Sequence, residues 1–581
     1  TVITDLGDRM YSTRRDTDKS AKSDASSVGS EATPTSLRCQ LHRAIVKPAY
    51  HKVETQGFVP KSKLEELVKV DIVENELLKS EKSIRRRLQK ASRLDFRPST
   101  SDQLEKQVRT TAEKICGVEQ SDSRKTDNGA LVFRKILAIT LLCGEKKEKV
   151  QAFVDEKVSD ADLPLIIHTP SKRFELRSKK RPTTRLKCFK SWGREDRKRF
   201  ESWQWTVLSP YFGRDGHNPT KMPCYALPKA TILPFLSWER VGRRGGSAMV
   251  YKVAIHQDHH GFEEYAAPGH FAVKFLHFSE RKRFEKEVGI LKAINKTPHP
   301  HLITLLVTYE YQERFHLVFP LAQCDLLQYW EAGEKDQAHN DELTARWLAQ
   351  QCHGLASGLK QVHQSSRVTS ESFAERERLV RRSVFSYISQ AHGSQEAGPR
   401  LVCQHGDLKP ENILLFPDSP AYQSVGGKGI LKITDFGEAE FGEYGAVAQK
   451  RLPTTPIYQA PEASKALGKL SMGTAYDIWS LGCVFLEFIT WCFGGWAYFD
   501  AFVSARAEPD PLSVRVPFID DMHRKPECTR FFHDFLDLIQ QEMLIIDPRT
   551  RISSVDLEQR LEDLKGRHQF DPGYFREHAG R

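Results

Sequence analysis

The residues best suited to chemistry are grouped in the second half of this 581-residue chain. Residues 405–412 read His-Gly-Asp-Leu-Lys-Pro-Glu-Asn, and Asp-Phe-Gly at 435–437 and Ala-Pro-Glu at 460–462 follow within 58 residues. Asn412 and Asp435 offer the hard oxygen ligands that Mg²⁺ prefers. Lys409 could neutralise a phosphate as a point charge. Any one of these runs alone could be a charged loop, but the ordered set favours a phosphate-handling site.

Together the three runs resemble the catalytic core of a eukaryotic-type protein kinase, over about residues 230–568. The resemblance implies that Asp407 accepts or orients a substrate hydroxyl proton and that Lys409 lies beside the γ-phosphate. It also implies that Asn412 and Asp435 hold Mg²⁺, so the expected cofactors are ATP and Mg²⁺. Lys409, two residues after Asp407, and Thr455, seven before Glu462, are features of the Ser/Thr class. Thr455 is expected to contact Asp407 and Lys409.

Residues upstream supply the predicted nucleotide-binding groups. Residues 271–275 alternate like a strand, which places Ala272 and Lys274 on it, and the ammonium could reach the α- and β-phosphates. Residues 283–291 read as an amphipathic helix, with Glu287 on or beside its apolar stripe. The resemblance implies a Lys274–Glu287 pair, and Glu285 is the competing carboxylate. Phe319, in the predicted last strand before the hinge, is expected to face the back of the adenine pocket.

The expected phosphate-covering loop has the least regular spacing. Its residues fall between two strand-like runs, with Gly245 29 residues before Lys274, and they are Val241, Gly242, Gly245, Gly246 and Val250. Counting back from Val250 puts Ala248 and Arg243 where the family pattern G-x-G-x-x-G-x-V has glycines. An ordinary hairpin turn is the alternative interpretation.

Two later motifs are expected to have structural roles. The run Asp-Ile-Trp-Ser-Leu-Gly at 477–482 resembles the helix start whose aspartate holds the catalytic loop backbone. Asp-Pro-Arg-Thr-Arg at 547–551 resembles a late motif whose last arginine pairs with the Ala-Pro-Glu glutamate, which predicts a Glu462–Arg551 ion pair. The His-Gly-Asp form and the Phe-Gly-Gly-Trp run at 493–496 resemble a fungal-type subset.

Two departures from the family pattern bear on regulation. Gly406 stands where most kinases have the arginine that receives a phosphorylated activation-loop residue, so a single phosphate there is not expected to switch the enzyme on. Residues 364–400 form an unusually long connection before the catalytic loop. We expect a surface excursion, because long insertions cost little loop entropy.

The predicted fold class is α+β: a bilobal protein-kinase-like fold, with a small β-rich lobe and a large helical lobe, preceded by a small all-α N-terminal region. The expected divisions are a disordered tail (1–45), a helical accessory region (46–165), a basic, aromatic-containing linker or docking segment (166–229), the kinase domain (230–568) and a C-terminal tail (569–581). The alternative is that the N-terminal helices pack on the kinase domain as an extension of it.

Charge and composition limit which partners and which cellular compartment are expected. Residues 170–200 contain 13 Lys or Arg and three acids, in a chain of net charge +11. This predicts an anionic partner, or else a solvated linker.

The 11 cysteines show no Cys-x-x-Cys pair, so neither a zinc site nor a disulfide framework is expected, and a reducing compartment, cytoplasmic or nuclear, is favoured. No apolar run of 18 residues is expected, and the longest candidate, Ile136–Cys143, is far too short to span a bilayer, which predicts no transmembrane segment. The chain begins at Thr1 without a signal-peptide pattern and could be a fragment.

The sequence therefore predicts transfer of the γ-phosphate of Mg-ATP to Ser or Thr hydroxyls of protein substrates. A kinase-like scaffold without activity is the first alternative, although Lys274, Asp407, Asn412 and Asp435 are all present. A small-molecule phosphotransferase, like the aminoglycoside and choline kinases that share His-Gly-Asp, is a remote alternative. Those enzymes typically lack the lysine two residues on and the Ala-Pro-Glu run.

Overall fold

The chain is described from a computed structural model. The described residues are 36–50, 57–79, 101–118, 131–145, 149–169, 174–213, 223–241, 249–265, 269–333, 341–365, 401–420, 422–443, 456–463, 473–506, 511–525 and 528–578.

The α-helices in chain order are α1 Leu37–Arg43, α2 Lys61–Leu67, α3 (residues 70–79), α4 Ser101–Cys116, α5 Arg134–Leu142, α6 Val150–Asp155, α7 Arg194–Gln204, α8 Arg281–Ile294, α9 Leu326–Ala332, α10 Glu342–Gln364, α11 Thr474–Arg506, α12 Pro511–Arg524, α13 Arg530–Leu538 and α14 Ser554–Gly566. The strands are β1 Leu165–His168, β2 Glu175–Ser178, β3 Cys224–Ala226, β4 Phe235–Val241, β5 Met249–Ile255, β6 His270–His277, β7 Val307–Tyr311, β8 Arg314–Pro320, β9 Cys324–Asp325, β10 Leu401–Gln404, β11 Ile413–Phe416, β12 Ile430–Ile433 and β13 Glu440–Glu443.

A six-stranded sheet forms the small lobe, in the order β3-β7-β8-β6-β5-β4. Its strands pair antiparallel except β3, which runs parallel to β7 at the edge. Each of β5, β6 and β8 contains three Val, Phe or Tyr residues, types that favour strands buried on a pleated surface. Helix α8 packs against this sheet, with Phe284 stacked on Phe315 of β8.

The large lobe is built around α10 and α11, whose side chains are mostly buried. By length and composition, α11 is apolar enough to cross a membrane. It is thus a longer apolar stretch than Ile136–Cys143, the longest that was expected from the sequence. Its most apolar 18-residue window is 94% buried inside the protein, as in the core helix of a folded lobe. Trp347, Trp330 and Phe535 from three other helices pack against it.

The N-terminal unit extends beyond the predicted helical accessory region of 46–165. Residues 165–178 form the β1–β2 hairpin, and the aromatics that follow it join the helices in one hydrophobic core. Phe153 of α6 contacts Phe189, Trp192 and Phe200, with ring centroids 5.2–6.2 Å apart. The hydrophobic core therefore continues past residue 165 into the segment that was predicted to be a linker or docking segment.

The basic segment contributes much of its charge to this same unit. Arg177 and Arg185 pair with Glu175, and Arg181 pairs with Asp162. Arg199 pairs with Asp196 and lies 3.6 Å from Glu145. The segment from 174 to 208 is therefore part of a folded unit rather than a solvated linker.

The N-terminal unit docks on the small lobe. Ala49 donates its backbone N–H to Phe235 O of β4 at 2.7 Å, and Ser62 donates to the Asp258 carboxylate. Tyr50 packs on Trp238, which stacks on Tyr251 across the outer face of the sheet. These contacts favour the alternative that the N-terminal helices extend the kinase-like fold.

Residues after 568 contribute to the core of the large lobe. Tyr574 and Phe575 are buried against Phe531 of α13, and Tyr574 donates to Asp534 at 2.8 Å. The large lobe therefore extends beyond the predicted end at 568, because these two rings complete its core.

Candidate active site

The sheet register places the predicted nucleotide-binding residues on one face. Val241 faces Val250, Val250 faces Lys274, and Ala272, two residues before Lys274, faces Phe319. Residues paired directly across neighbouring strands share a face, and so do residues two apart on one strand. The side chains of Val241, Val250, Ala272 and Phe319 are half-buried and line the cleft face on which Lys274 lies.

Lys274 is held between two carboxylates at the floor of this face. Its Nζ donates to Glu287 Oε1 at 2.7 Å and to Asp435 Oδ1 at 2.8 Å. Glu287 is 1% exposed, because position 287 of α8 faces the sheet. Burial by itself lowers the pKa of Lys274, but the two carboxylates outweigh it and raise the pKa above its usual range.

Asp435 has a left-handed backbone, with φ of 59°. This conformation is uncommon outside glycine, and it is held by Lys274 and by the Gly437 N–H, which donates to Asp435 Oδ1 at 3.3 Å. Burial by itself raises the pKa of Asp435, but the Lys274 ammonium outweighs it and holds that pKa well below its usual range. The carboxylate is therefore ionised and positioned at neutral pH.

Asp407, Lys409 and Asn412 lie together in the segment between β10 and β11. Lys409 Nζ is 2.9 Å from Asp407 Oδ2. Asn412 Nδ2 donates to the backbone O of Asp407 at 2.7 Å and to its Oδ2 at 3.0 Å. Both N–H groups of the Asn412 amide therefore donate hydrogen bonds, and its Oδ1 is the atom able to bind a cation.

The backbone of this catalytic segment is held by hydrogen bonds to a buried aspartate of α11. Asp477 Oδ2 accepts the N–H of His405 at 2.7 Å, and Oδ1 accepts the N–H of Gly406 at 2.8 Å. His363 at the end of α10 donates to Asp477 Oδ2 at 2.9 Å. Burial by itself raises the pKa of Asp477, but these hydrogen bonds and the His363 ring lower it, so the carboxylate stays an acceptor. The sequence predicted the anchoring role of Asp477 but not His363.

Comparison with known proteins agrees with this geometry. A family model described as "Protein kinase domain" matches residues 384–561. The chain contains a protein kinase domain. Human cyclin-dependent kinase-like 4 is 26% identical over 38% of this chain and 44% of its own length. Serine/threonine-protein kinase ATG1 of Saccharomyces cerevisiae is 28% identical over 36% of this chain and 21% of its own. The chain thus matches less than half the length of either relative.

The kinase domain carries the predicted ion pair beneath its activation segment. Arg551 Nη1 and Nη2 donate to the two oxygens of Glu462 at 2.8 and 3.0 Å, and both side chains are buried. Arg551 also donates to the backbone oxygens of Ala475 and Ile545. The pair joins the end of the activation segment to the segment before α14.

A second buried cluster beside it was not predicted. Tyr458 donates its hydroxyl to Glu487 Oε2 at 3.0 Å, and Arg506 lies 2.5 Å from Glu487 Oε1 and donates to Ile457 O at 2.7 Å. Burial raises the pKa of Glu487 to about 7, although Arg506 and Tyr458 act against it. A glutamate within the apolar stretch of α11 was the signal in the sequence that an internal partner must exist.

Several predicted site residues fall outside the described part of the kinase domain. They are Gly242, Gly245, Gly246, Thr455 and the insert from 366 to 400. Their roles remain predictions, as does the resemblance to a fungal-type subset.

The geometry separates Glu287 from its competitor Glu285, whose side chain is 40% exposed and lies 3.5 Å from Arg281. We expect Glu287→Gln to lower phosphate transfer about 10- to 100-fold, because it weakens one charged hydrogen bond to Lys274. The matched control Glu285→Gln should change the rate by less than about twofold, since exposed ion pairs contribute little. Steady-state rates with a generic protein substrate would measure both. Equal losses in the two variants would contradict this assignment.

Proposed function

We propose that the kinase domain is an active Ser/Thr kinase that transfers the γ-phosphate of ATP to hydroxyls of protein substrates. The observation that carries this proposal is the Lys274 ammonium bonded to both Glu287 and Asp435. Three groups from three separate elements converge there, and this position is suited to phosphate oxygens and their counter-ion. The family match and the similarity to a yeast serine/threonine-protein kinase support the same class of reaction.

The donor set fits a magnesium ion. Asn412 Oδ1 and the Asp435 carboxylate are hard oxygen ligands, and Mg²⁺ uses one or two such groups together with substrate phosphates. When bound, the ion would neutralise charge on the phosphates. The residues of the chain then have separate tasks: Lys274 orients the α- and β-phosphates, and Ala272, Val250 and Phe319 enclose the base.

Asp407 is proposed to receive the proton of the substrate hydroxyl as that oxygen attacks the γ-phosphorus. The bond from phosphorus to the bridging oxygen of ADP breaks, and its electron pair leaves with ADP. Lys409, 2.9 Å from Asp407, lies where it can neutralise the transferred phosphoryl group. Thr455 is proposed to hold the substrate hydroxyl near Asp407.

Two further proposals concern the cellular location of the kinase and a partner that it binds. No disulfide joins any of the eleven cysteines, all of which lie in the described part of the chain. Reduced thiols suit a reducing compartment, and we propose a cytoplasmic or nuclear location. Lys179 and Lys180 are exposed in the turn that directly follows strand β2. We propose that they, rather than the paired arginines nearby, meet an anionic partner.

The proposal is tested with the full chain, labelled ATP and Mg²⁺. Wild type should transfer label to Ser or Thr of a protein substrate, and phosphoamino-acid analysis would identify the hydroxyl. Asp435→Asn should lose both transfer and the thermal stabilisation by Mg-ATP, because a metal ligand is removed. Stabilisation by Mg-ATP without any transfer would indicate the scaffold alternative. Label appearing on an aminoglycoside or choline instead of protein would indicate a small-molecule kinase.

A further inference from the structure

A second cluster of ligand-type side chains lies far from the nucleotide cleft in sequence, where α12 meets α13. His533 and Asp537 are one turn apart on α13, and His523 lies in the last turn of α12. One ring nitrogen of each histidine and a carboxylate oxygen of Asp537 all lie within 4.8 Å of one another. The two rings are 4.6 Å apart between centroids. Neither histidine has a role in the reaction proposed above.

The distances in this cluster suit three ligands around one ion. His523 Nε2 is 3.6 Å from Asp537 Oδ1, and His533 Nδ1 is 3.4 Å from Asp537 Oδ2. Two atoms that each bind one tetrahedral Zn²⁺ at about 2.0–2.1 Å are ~3.3–3.4 Å apart. A direct N–H···O hydrogen bond would bring the two atoms to about 2.7–3.2 Å. The observed separations, one to each carboxylate oxygen, are close to those of ligands that share an ion.

One of the ligand atoms lacks any other partner. His523 Nε2 is buried and has no hydrogen-bond partner among the described residues, although the atom faces Asp537. The side chains of His523, His533 and Asp537 are 18%, 40% and 36% exposed. An ion could therefore enter from solvent and keep one water, which is the arrangement of three-ligand zinc sites. Gln541 donates to Asp537 Oδ1 at 3.4 Å and can orient the carboxylate from outside.

We propose that His523, His533 and Asp537 bind a divalent transition-metal ion of the zinc class. Imidazole nitrogens select Zn²⁺ and its neighbours over Mg²⁺ and Ca²⁺, so this site is chemically separate from the one at Asn412 and Asp435. The ion would join the end of α12 to α13 across the 525–529 connection. Cysteine spacing gave no sign of a zinc site, because this ligand set contains no cysteine.

The test uses the full chain after treatment with EDTA and dialysis, titrated with Zn²⁺ alone by calorimetry. We expect a saturable equivalent whose affinity falls about 100-fold or more in His523→Gln, His533→Gln and Asp537→Asn. His277→Gln, an exposed histidine of the small lobe, is the matched control and should keep that equivalent. Circular dichroism of each variant would confirm that it is folded.

The outcome that overturns the proposal is the absence of saturable Zn²⁺ binding by wild type, or binding unchanged in all three variants. If a variant does not fold, the spectrum of the wild-type protein with Co²⁺ decides. Visible bands of tetrahedral Co²⁺ without a thiolate charge-transfer band are expected from a ligand set of two nitrogens and a carboxylate. A strong thiolate band would assign the metal to cysteines instead and would refute the site.

Discussion

Asp407→Asn is expected to lower phosphate transfer by about 10²- to 10⁴-fold, the usual contribution of a positioned proton acceptor. The amide can still accept the hydrogen bonds from Lys409 and Asn412 that the carboxylate accepts in the structure. The fold of the catalytic segment should therefore persist, because its backbone is held by Asp477. Stabilisation by Mg-ATP should persist too, since the nucleotide contacts lie on Lys274 and Asp435.

The measurement is single-turnover transfer with labelled ATP, beside a thermal melt with and without Mg-ATP. Glu411→Gln provides the matched control, because this neighbouring carboxylate is exposed. Its rate should stay within about twofold of wild type. Near-normal transfer by Asp407→Asn would show that Asp407 is not the proton acceptor. If this variant instead lost Mg-ATP binding and transferred phosphate as slowly as Asp435→Asn, the substitution would have disrupted the structure of the site.

Glu462→Ala is expected to cost about 3–5 kcal/mol of the free energy of unfolding of the large lobe. The change leaves the Arg551 guanidinium buried without its bidentate partner, and the two backbone oxygens that remain cannot neutralise its charge. Urea unfolding followed by tryptophan fluorescence would measure the shift in the midpoint, since Trp479 lies 5.1 Å from the Arg551 guanidinium.

Two further variants separate the charge effect from packing. Glu462→Leu combined with Arg551→Met should recover most of the loss, because an apolar pair of similar volume avoids the cost of an unpaired buried charge. Asp547→Asn breaks an exposed pair with Arg549 nearby and should leave the midpoint unchanged. A double variant as unstable as Glu462→Ala would show that the charges are not the cause.

Local spacing in the sequence predicted two side-chain contacts that the structure contains. The alternation in 271–275 placed Lys274 on a strand, and helical periodicity preferred Glu287 to Glu285, which matches the observed contact. The same reasoning predicted the Glu462–Arg551 pair through the family motifs. These predictions succeeded because each rests on a short segment whose geometry is set by its own secondary structure.

Contacts between distant segments could not be read in the same way. Lys274 and Asp435 are 161 residues apart, and only the closed arrangement of the two lobes brings them together. The rings at 189, 192 and 200 were recognised as packing against something, but nothing in their spacing identified Phe153 as the partner. His533 and Asp537 are visible as an i, i+4 pair, whereas His523 joins them only through the packing of α12 on α13.

The burial of α11 limits how early this helix can fold during translation. Phe485 and Phe493 of this helix are covered by Phe535 and Phe532, which leave the ribosome about 40–50 residues later. Until then the face of this apolar helix that α13 covers is left open to solvent, although Trp330 and Trp347 are already available to cover another part of it. Truncation before α13 should therefore produce a chaperone-bound or aggregated product, and the nascent chain is most vulnerable in the interval between translation of residues 506 and 538.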